Sequence, residues 1–87
     1  MFNPRKHPLP ETTEECKRLL RILEEKVKKA RPSPFMQSES EFRPNLQMLY
    51  KNRCKQALSW FIEEHMNAPT IFEQRLVKMA TEYRERL

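Results

Sequence analysis

An amphipathic helix is predicted by residues 12–31, TTEECKRLLRILEEKVKKAR. Apolar residues recur there at alternating spacings of four and three, which places them along one stripe of a helix. Thr12 and Glu15 match the capping box that starts many helices, and Pro32 stops the helix after Arg31. The stripe consists of Cys16, Leu20, Leu23, Val27 and Ala30, with Leu19 beside it.

Two further helices are predicted along the rest of the chain. Pro44 suits the first turn of a second helix, which we expect to cover residues 44–66. Thr70 and Glu73 form another capping box, which predicts a third helix over residues 70–86. The apolar face of this third helix consists of Phe72, Leu76, Met79, Ala80, Tyr83 and Leu87.

The segments outside these helices are rich in proline and polar residues. Residues 1–11 are basic and contain three prolines, so we expect an extended arm without a helix of its own. Residues 32–43 are predicted to be a linker. The remaining chain, residues 12–87, is then a single all-α domain, a small three-helix arrangement that follows the proline-rich arm.

The chain of 87 residues contains no glycine. Glycine supplies positive φ angles and close approaches of the backbone to phosphate groups. Its absence excludes the phosphate-binding loop, the dinucleotide fingerprint, the nucleophile elbow and the calcium loop. The net charge of +5 favours an acidic protein surface or nucleic acid as partner. No apolar run is long enough for a membrane span, so we expect no membrane contact.

The second predicted helix carries more apolar surface than one neighbour can cover. Its apolar residues span roughly 220° of the helical wheel, wider than the stripe of an ordinary surface helix. Either both other helices pack on it, or part of it docks on another chain. Several large apolar residues also lie off the apolar faces of their helices, which is typical of a binding surface. These residues are Ile22, Met48, Ile71 and Val77.

Residues that could support catalysis or bind a metal are few and widely spaced. Zinc sites use closely spaced pairs of ligands, and no such pair occurs among His7, Cys16, Cys54 and His65. We therefore expect two packed, reduced thiols, two surface histidines, no metal and no cofactor. Contact between Cys54 and His65 in space would give a nucleophile and base, but a thiol in an apolar arc is usually inert. The sequence predicts a protein without enzymatic activity.

Two sets of residues are candidates for contact with a partner. Trp60, Leu49 and Arg53 lie close together on the wheel at one margin of the wide arc, and tryptophan and arginine are enriched at interface hot spots. The alternative for Trp60 is a place in the core. A basic flank of the first helix could contact phosphates or an acidic surface, or could be a solvated helix face. This flank consists of Lys17, Arg21, Lys28 and Arg31.

The sequence favours a protein–protein interaction module, such as an adaptor, an inhibitor or a small subunit, that docks on a larger intracellular assembly. That assembly could be one that handles nucleic acid. The alternative is direct binding of nucleic acid through the basic flank of the first helix. A third interpretation is homo-oligomerisation through the wide middle helix. Reduced thiols and the absence of an N-terminal apolar segment predict a cytoplasmic location.

Overall fold

The computed structural model describes residues 12–30 and 39–87, and within these ranges the chain is helical without a strand. The predicted arm, residues 1–11, and residues 32–38 of the predicted linker lie outside the described residues. Four α-helices are present in the described part: α1 (Glu14–Ala30), α2 (Arg43–Lys51), α3 (Lys55–His65) and α4 (Ile71–Glu85). A short 3-10 helix, Glu39–Glu41, precedes α2.

Helix α1 has the apolar stripe that its sequence predicts, and the five residues of the stripe are buried, as is Leu19 beside them. Its cap differs by one position from the prediction. Thr13, rather than Thr12, accepts a hydrogen bond through Oγ1 from the backbone N–H of Cys16, over 3.2 Å. The acidic residues Glu14 and Glu15 occupy the first turn, where they interact favourably with the helix dipole.

The predicted middle helix is divided into α2 and α3, which corrects the expected count of three helices. Arg53 adopts a left-handed conformation, with φ of 55°. Its N–H donates to the Tyr50 carbonyl over 3.0 Å, and the N–H of Cys54 donates to the Leu49 carbonyl over 2.8 Å. These two bonds form a Schellman motif, which ends a helix and is usually built with glycine. A chain without glycine places an arginine there instead.

The division explains the wide apolar arc. The backbone changes direction between the two helices, so buried residues on different sides of the wheel reach the same core. Leu46 and Leu49 enter it from α2, whereas Ala57, Leu58 and Phe61 enter it from α3, and all five are inaccessible to solvent. The apolar residues of one continuous helix would have needed two neighbours to bury them. Divided between α2 and α3, they are buried in a single core.

Helix α4 begins as its sequence predicts. Thr70 is the N-cap, and its Oγ1 accepts a hydrogen bond from the Glu73 N–H over 3.2 Å. The predicted apolar face is buried except at Leu87, which lies beyond the end of α4 and is 38% exposed. The turn before α4 is fixed by Gln74, whose Nε2 donates to the Ala68 carbonyl over 2.6 Å and to the Met66 carbonyl over 3.3 Å.

A disulfide joins Cys16 to Cys54, and this overturns the expectation of two reduced thiols. The bond connects the first turns of α1 to the junction of α2 and α3, with a Cα–Cα distance of 5.6 Å. The two cysteines are 38 positions apart in the sequence, and they meet because α1 and α2 pack side by side. Disulfides are typical of oxidising compartments, so the two cysteines no longer support the predicted cytoplasmic location. The location stays a prediction.

One hydrophobic core lies between the four helices. Helices α3 and α4 have the most extensive contact, and α2 packs against both α1 and α4. Aromatic pairs strengthen the packing on α4: Phe42 meets Phe72 edge to face at 5.0 Å, and Tyr50 lies against Tyr83 at 5.3 Å.

Candidate docking surface and buried polar cluster

Two of the three residues predicted to bind a partner are core residues. Trp60 is 5% exposed and Leu49 is inaccessible to solvent, so the exposed tryptophan that the hypothesis required is absent. Arg53 is exposed at the turn between α2 and α3. The structure therefore does not bring these three side chains together on the surface. The break between α2 and α3 turns Trp60 and Leu49, which lie at the margin of the apolar arc, toward the core.

The predicted basic flank of α1 is partly accessible. Arg21 and Lys28 are exposed, and neither forms an ion pair within the described residues. Lys17 contacts Glu14, with its Nζ 3.6 Å from Oε2. Arg31, the fourth member of the predicted flank, lies outside the described residues. Two exposed cations two turns apart remain on this side of α1.

Exposed apolar side chains occur where α1 and α2 meet. Ile22 is 44% exposed and Met48 is 43% exposed. Helices α1 and α2 are antiparallel, because the disulfide joins Cys16 to Cys54 while Lys26 Nζ lies 3.2 Å from Asn45 Oδ1 toward the other end. Ile22 is one turn from Lys26 and Met48 is one turn from Asn45, in both cases toward the disulfide. The two apolar side chains are therefore neighbours on the surface.

Three lysines lie within two turns of this apolar pair, and so does the exposed acid Glu25. Lys26 lies one turn beyond Ile22, Lys29 two turns beyond it, and Lys51 one turn beyond Met48. Lys26 is held in place by the Glu41 carbonyl at 2.6 Å and by the ring of Phe42 at 5.0 Å. We call this surface the α1–α2 seam, defined by Ile22, Lys26, Lys29, Met48 and Lys51. It combines an apolar centre with positive charge.

A polar cluster is buried where α1, α3 and α4 meet. His65 Nε2 lies 2.6 Å from Glu24 Oε2 and His65 Nδ1 lies 2.7 Å from Glu73 Oε2. All three side chains are buried, which corrects the prediction that His65 is a surface histidine. The hydroxyl of Thr70 also donates to Glu73 Oε1 over 3.2 Å. The cluster therefore connects the end of α3, the start of α4 and the middle of α1.

The geometry favours a protonated imidazole, because only imidazolium donates from both ring nitrogens. Burial is the largest single cause acting on the pKa of His65 and lowers it, but hydrogen bonds and charge from Glu24 and Glu73 together outweigh burial. The net effect is a pKa above the ordinary value of 6.5. The cluster is an ion pair with two acids, and it stabilises contacts between helices.

The cluster offers little chemistry beyond this structural role. The carboxylates of Glu24 and Glu73 occupy opposite edges of the imidazole ring, so they do not converge on a point where a metal could bind. Within residues 12–30 and 39–87, no group of three histidine, cysteine or acidic residues could hold a metal ion. The pairing of Cys54 with His65 as nucleophile and base does not form, because Cys54 is bonded to Cys16.

Sequence reasoning missed this cluster for a physical reason. Glu24 and His65 are 41 positions apart, and neither has a neighbour in the sequence that marks it as buried. One signal is present for Glu73, which the sequence places in a capping box with Thr70. Glu73 lies in the first turn of α4, which begins only a few residues after His65. Its carboxylate can therefore reach the imidazole.

Comparison with known proteins gives no relative from which a role could be transferred: no protein family, curated protein or solved structure matches this chain. None of the helices in the described ranges has the length and hydropathy needed to cross a membrane. The functional interpretation depends on the surfaces of the chain itself.

Proposed function

We propose that this chain is a non-enzymatic helical interaction module that docks through its α1–α2 seam onto an acidic protein surface in a larger assembly. The observation that carries the proposal is the exposure of Ile22 on α1 and Met48 on α2, two helices that pack against each other. The other large apolar residues of α1 and α2 are buried or partly buried. A partner that covers both side chains would gain about 25 cal/mol for each Å² of apolar area removed from water.

Charge around the apolar pair supports an acidic partner. Lys26, Lys29 and Lys51 border it, and Arg18 on the same side of α1 is already paired with Glu15 at 2.6 Å. Positive residues at the rim of an interface accelerate association with a negative surface and exclude basic partners. The apolar centre would then supply affinity, and the lysines would supply rate and selectivity.

Site-specific photo-crosslinking tests where a partner contacts the chain. A crosslinker at position 22 or 48 should capture the same protein, whereas one at position 71 should not. Ile71 is a matched control because it is 72% exposed at the start of α4, away from the seam. Equal capture from all three positions would contradict docking at the seam.

Affinity measurements with the purified captured protein complete the test. The double variant Ile22→Ser and Met48→Ser should weaken binding at least tenfold, about 1.4 kcal/mol or more, and Ile71→Ser should leave it unchanged. Both variants should melt close to the parent, since exposed substitutions usually change stability by less than about 0.5 kcal/mol. Unchanged affinity of the double variant would refute the proposal.

A second candidate function is direct binding of nucleic acid through the basic flank of α1. The observation in its favour is that Arg21 and Lys28 are both exposed on one side of α1 without an ion pair in the described part of the chain. Binding of this kind should weaken steeply as salt increases, with a log–log slope of about one per phosphate neutralised. Replacing Arg21 and Lys28 with glutamate should abolish it, and the seam variants should not.

A further inference from the structure

A small pocket lies apart from the α1–α2 seam and shares no lining residue with it. It is formed between the start of α2 and the end of α4, and its walls carry both positive and apolar groups. The residues that line it are Arg43, Met79, Glu82, Tyr83 and Arg86. Nothing in the proposed docking function uses this pocket.

Two arginines face this pocket without an acidic partner. Arg43 is the first residue of α2 and Arg86 follows the last residue of α4. Neither forms an ion pair with an acid within residues 12–30 and 39–87. The guanidinium of Arg86 lies 5.8 Å from the centre of the Tyr83 ring, which orients it. A guanidinium presents a planar set of donors that matches carboxylate and phosphate groups.

Tyr83 provides a second and independent observation. It is only 7% exposed, and in the described part of the chain its hydroxyl has no hydrogen-bond partner. Its ring is fixed between Tyr50 and the guanidinium of Arg86. A buried polar group without a partner destabilises the fold, so such groups are usually satisfied by a ligand or by water. An acceptor atom in the pocket would satisfy this donor.

The start of α2 adds to the positive potential. Its first turn contains no acidic residue, and Phe42 at the N-cap supplies no side-chain hydrogen bond. The positive end of the helix dipole therefore lacks the compensation that Thr70 and Glu73 give to α4. Among the residues that the structure describes, Glu82 is the one acid that lines the pocket. With two arginines and one glutamate, the lining residues carry a net charge of +1.

We propose that this pocket binds one oxyanion, a carboxylate or phosphate group, between the guanidinium groups of Arg43 and Arg86. The hydroxyl of Tyr83 donates a third hydrogen bond to the anion. Glu82 weakens binding by repulsion and limits it to anions that reach both arginines. The site is separate from the α1–α2 seam, so it does not depend on the docking function.

The test is a titration of the isotope-labelled chain at constant pH and ionic strength, followed by NMR signals of the arginine Nε–H groups. Inorganic phosphate and acetate are the two probes, with chloride as the balancing ion. Saturable shifts at Arg43 and Arg86, absent at Arg84, are the expected result. Saturation by phosphate alone assigns the site to phosphate groups, and saturation by acetate alone assigns it to carboxylates. Shifts that never saturate with either probe would overturn the proposal.

Variants that are expected to change the affinity for the anion in opposite directions make the test more specific. Arg43→Gln or Arg86→Gln should weaken binding about tenfold, since each removes a charged donor. Arg84→Gln is the matched control, because it removes the same charge from α4 without touching the pocket lining, and it should leave affinity unchanged. Glu82→Gln should tighten binding, and Tyr83→Phe should weaken it while the ring still packs in the core. Equal weakening by Arg84→Gln would show a general charge effect and refute the site.

Discussion

The two turns that join α2 to α3 and α3 to α4 are held by different interactions. The first turn contains a left-handed Arg53 and a covalent bond from Cys54 to α1, and Cys54 provides no side-chain cap for α3. The second contains the Thr70 cap and the ion pair of His65 with Glu73. One turn depends on a crosslink and the other on polar side chains. Each should therefore respond to a different perturbation.

The largest effect is expected from the second turn. His65→Ala removes the imidazolium and leaves the carboxylates of Glu24 and Glu73 buried, which should destabilise the fold by about 3–5 kcal/mol. Chemical denaturation measures the loss. Glu63→Ala is the control, because Glu63 is an exposed residue of the same helix and should change stability by less than about 0.5 kcal/mol. Equal stability of both variants would contradict the ion pair.

The pH dependence identifies the charge state of the same cluster. The pKa of His65 is raised in the folded state, so the stabilisation is complete below the ordinary value of 6.5 and declines as the pH rises above it. Glu24 on α1 and Glu73 on α4 are the charged groups bonded to the ring, and Phe61 on α3 contacts its face. Melting temperature should fall with pH in this range. The His65→Ala variant should not show the part of this pH dependence that is due to the imidazole.

The crosslink of the first turn comes next. Replacing Cys16 and Cys54 together with alanine should cost about 4 kcal/mol, the loop entropy for a separation of 38 residues. Reduction of the parent by a dithiol should lower its melting temperature to about that of the double variant. The double variant is the control, since its melting temperature should not respond to the reductant. A parent that is insensitive to complete reduction would contradict a stabilising disulfide.

A smaller effect is expected from the cap of α4. Thr70→Ala removes the acceptor for the Glu73 N–H and should cost about 1 kcal/mol. Thr81→Ala is the matched control, because the Thr81 hydroxyl donates only to the Val77 carbonyl of its own helix. Thermal melting distinguishes the two. A larger loss of stability from Thr81→Ala than from Thr70→Ala would contradict the role of Thr70 as the stabilising cap of α4.

The smallest effect has the opposite sign. Arg53→Gly removes the penalty for a side chain at positive φ, and should stabilise the fold by up to about 1 kcal/mol after the entropy gained by the unfolded chain is subtracted. Asn52→Gly, one residue earlier at φ of −91°, should destabilise it instead. If both glycine variants destabilise the fold equally, the turn does not require a left-handed residue.

The same two turns show how far the sequence alone predicts this fold. The capping box of Thr70 and Glu73 predicts α4 from a local pattern. The apolar stripe from Cys16 to Ala30 predicts α1 in the same way. The break at Arg53 has no such signal, because arginine has no preference for positive φ. The pairing of His65 with Glu24 depends on tertiary packing, and so does the burial of Trp60. The sequence therefore predicts His65 at the surface, and for Trp60 it allows both an interface and a core position.

The disulfide also determines the covalent connectivity of a cleaved chain. A protease that cuts one peptide bond between Cys16 and Cys54 produces two fragments that remain one molecule, because the sulfur bridge spans the cut. The nicked protein keeps its mass, apart from one added water, under non-reducing conditions. It separates into an N-terminal and a C-terminal fragment only when the bridge is reduced.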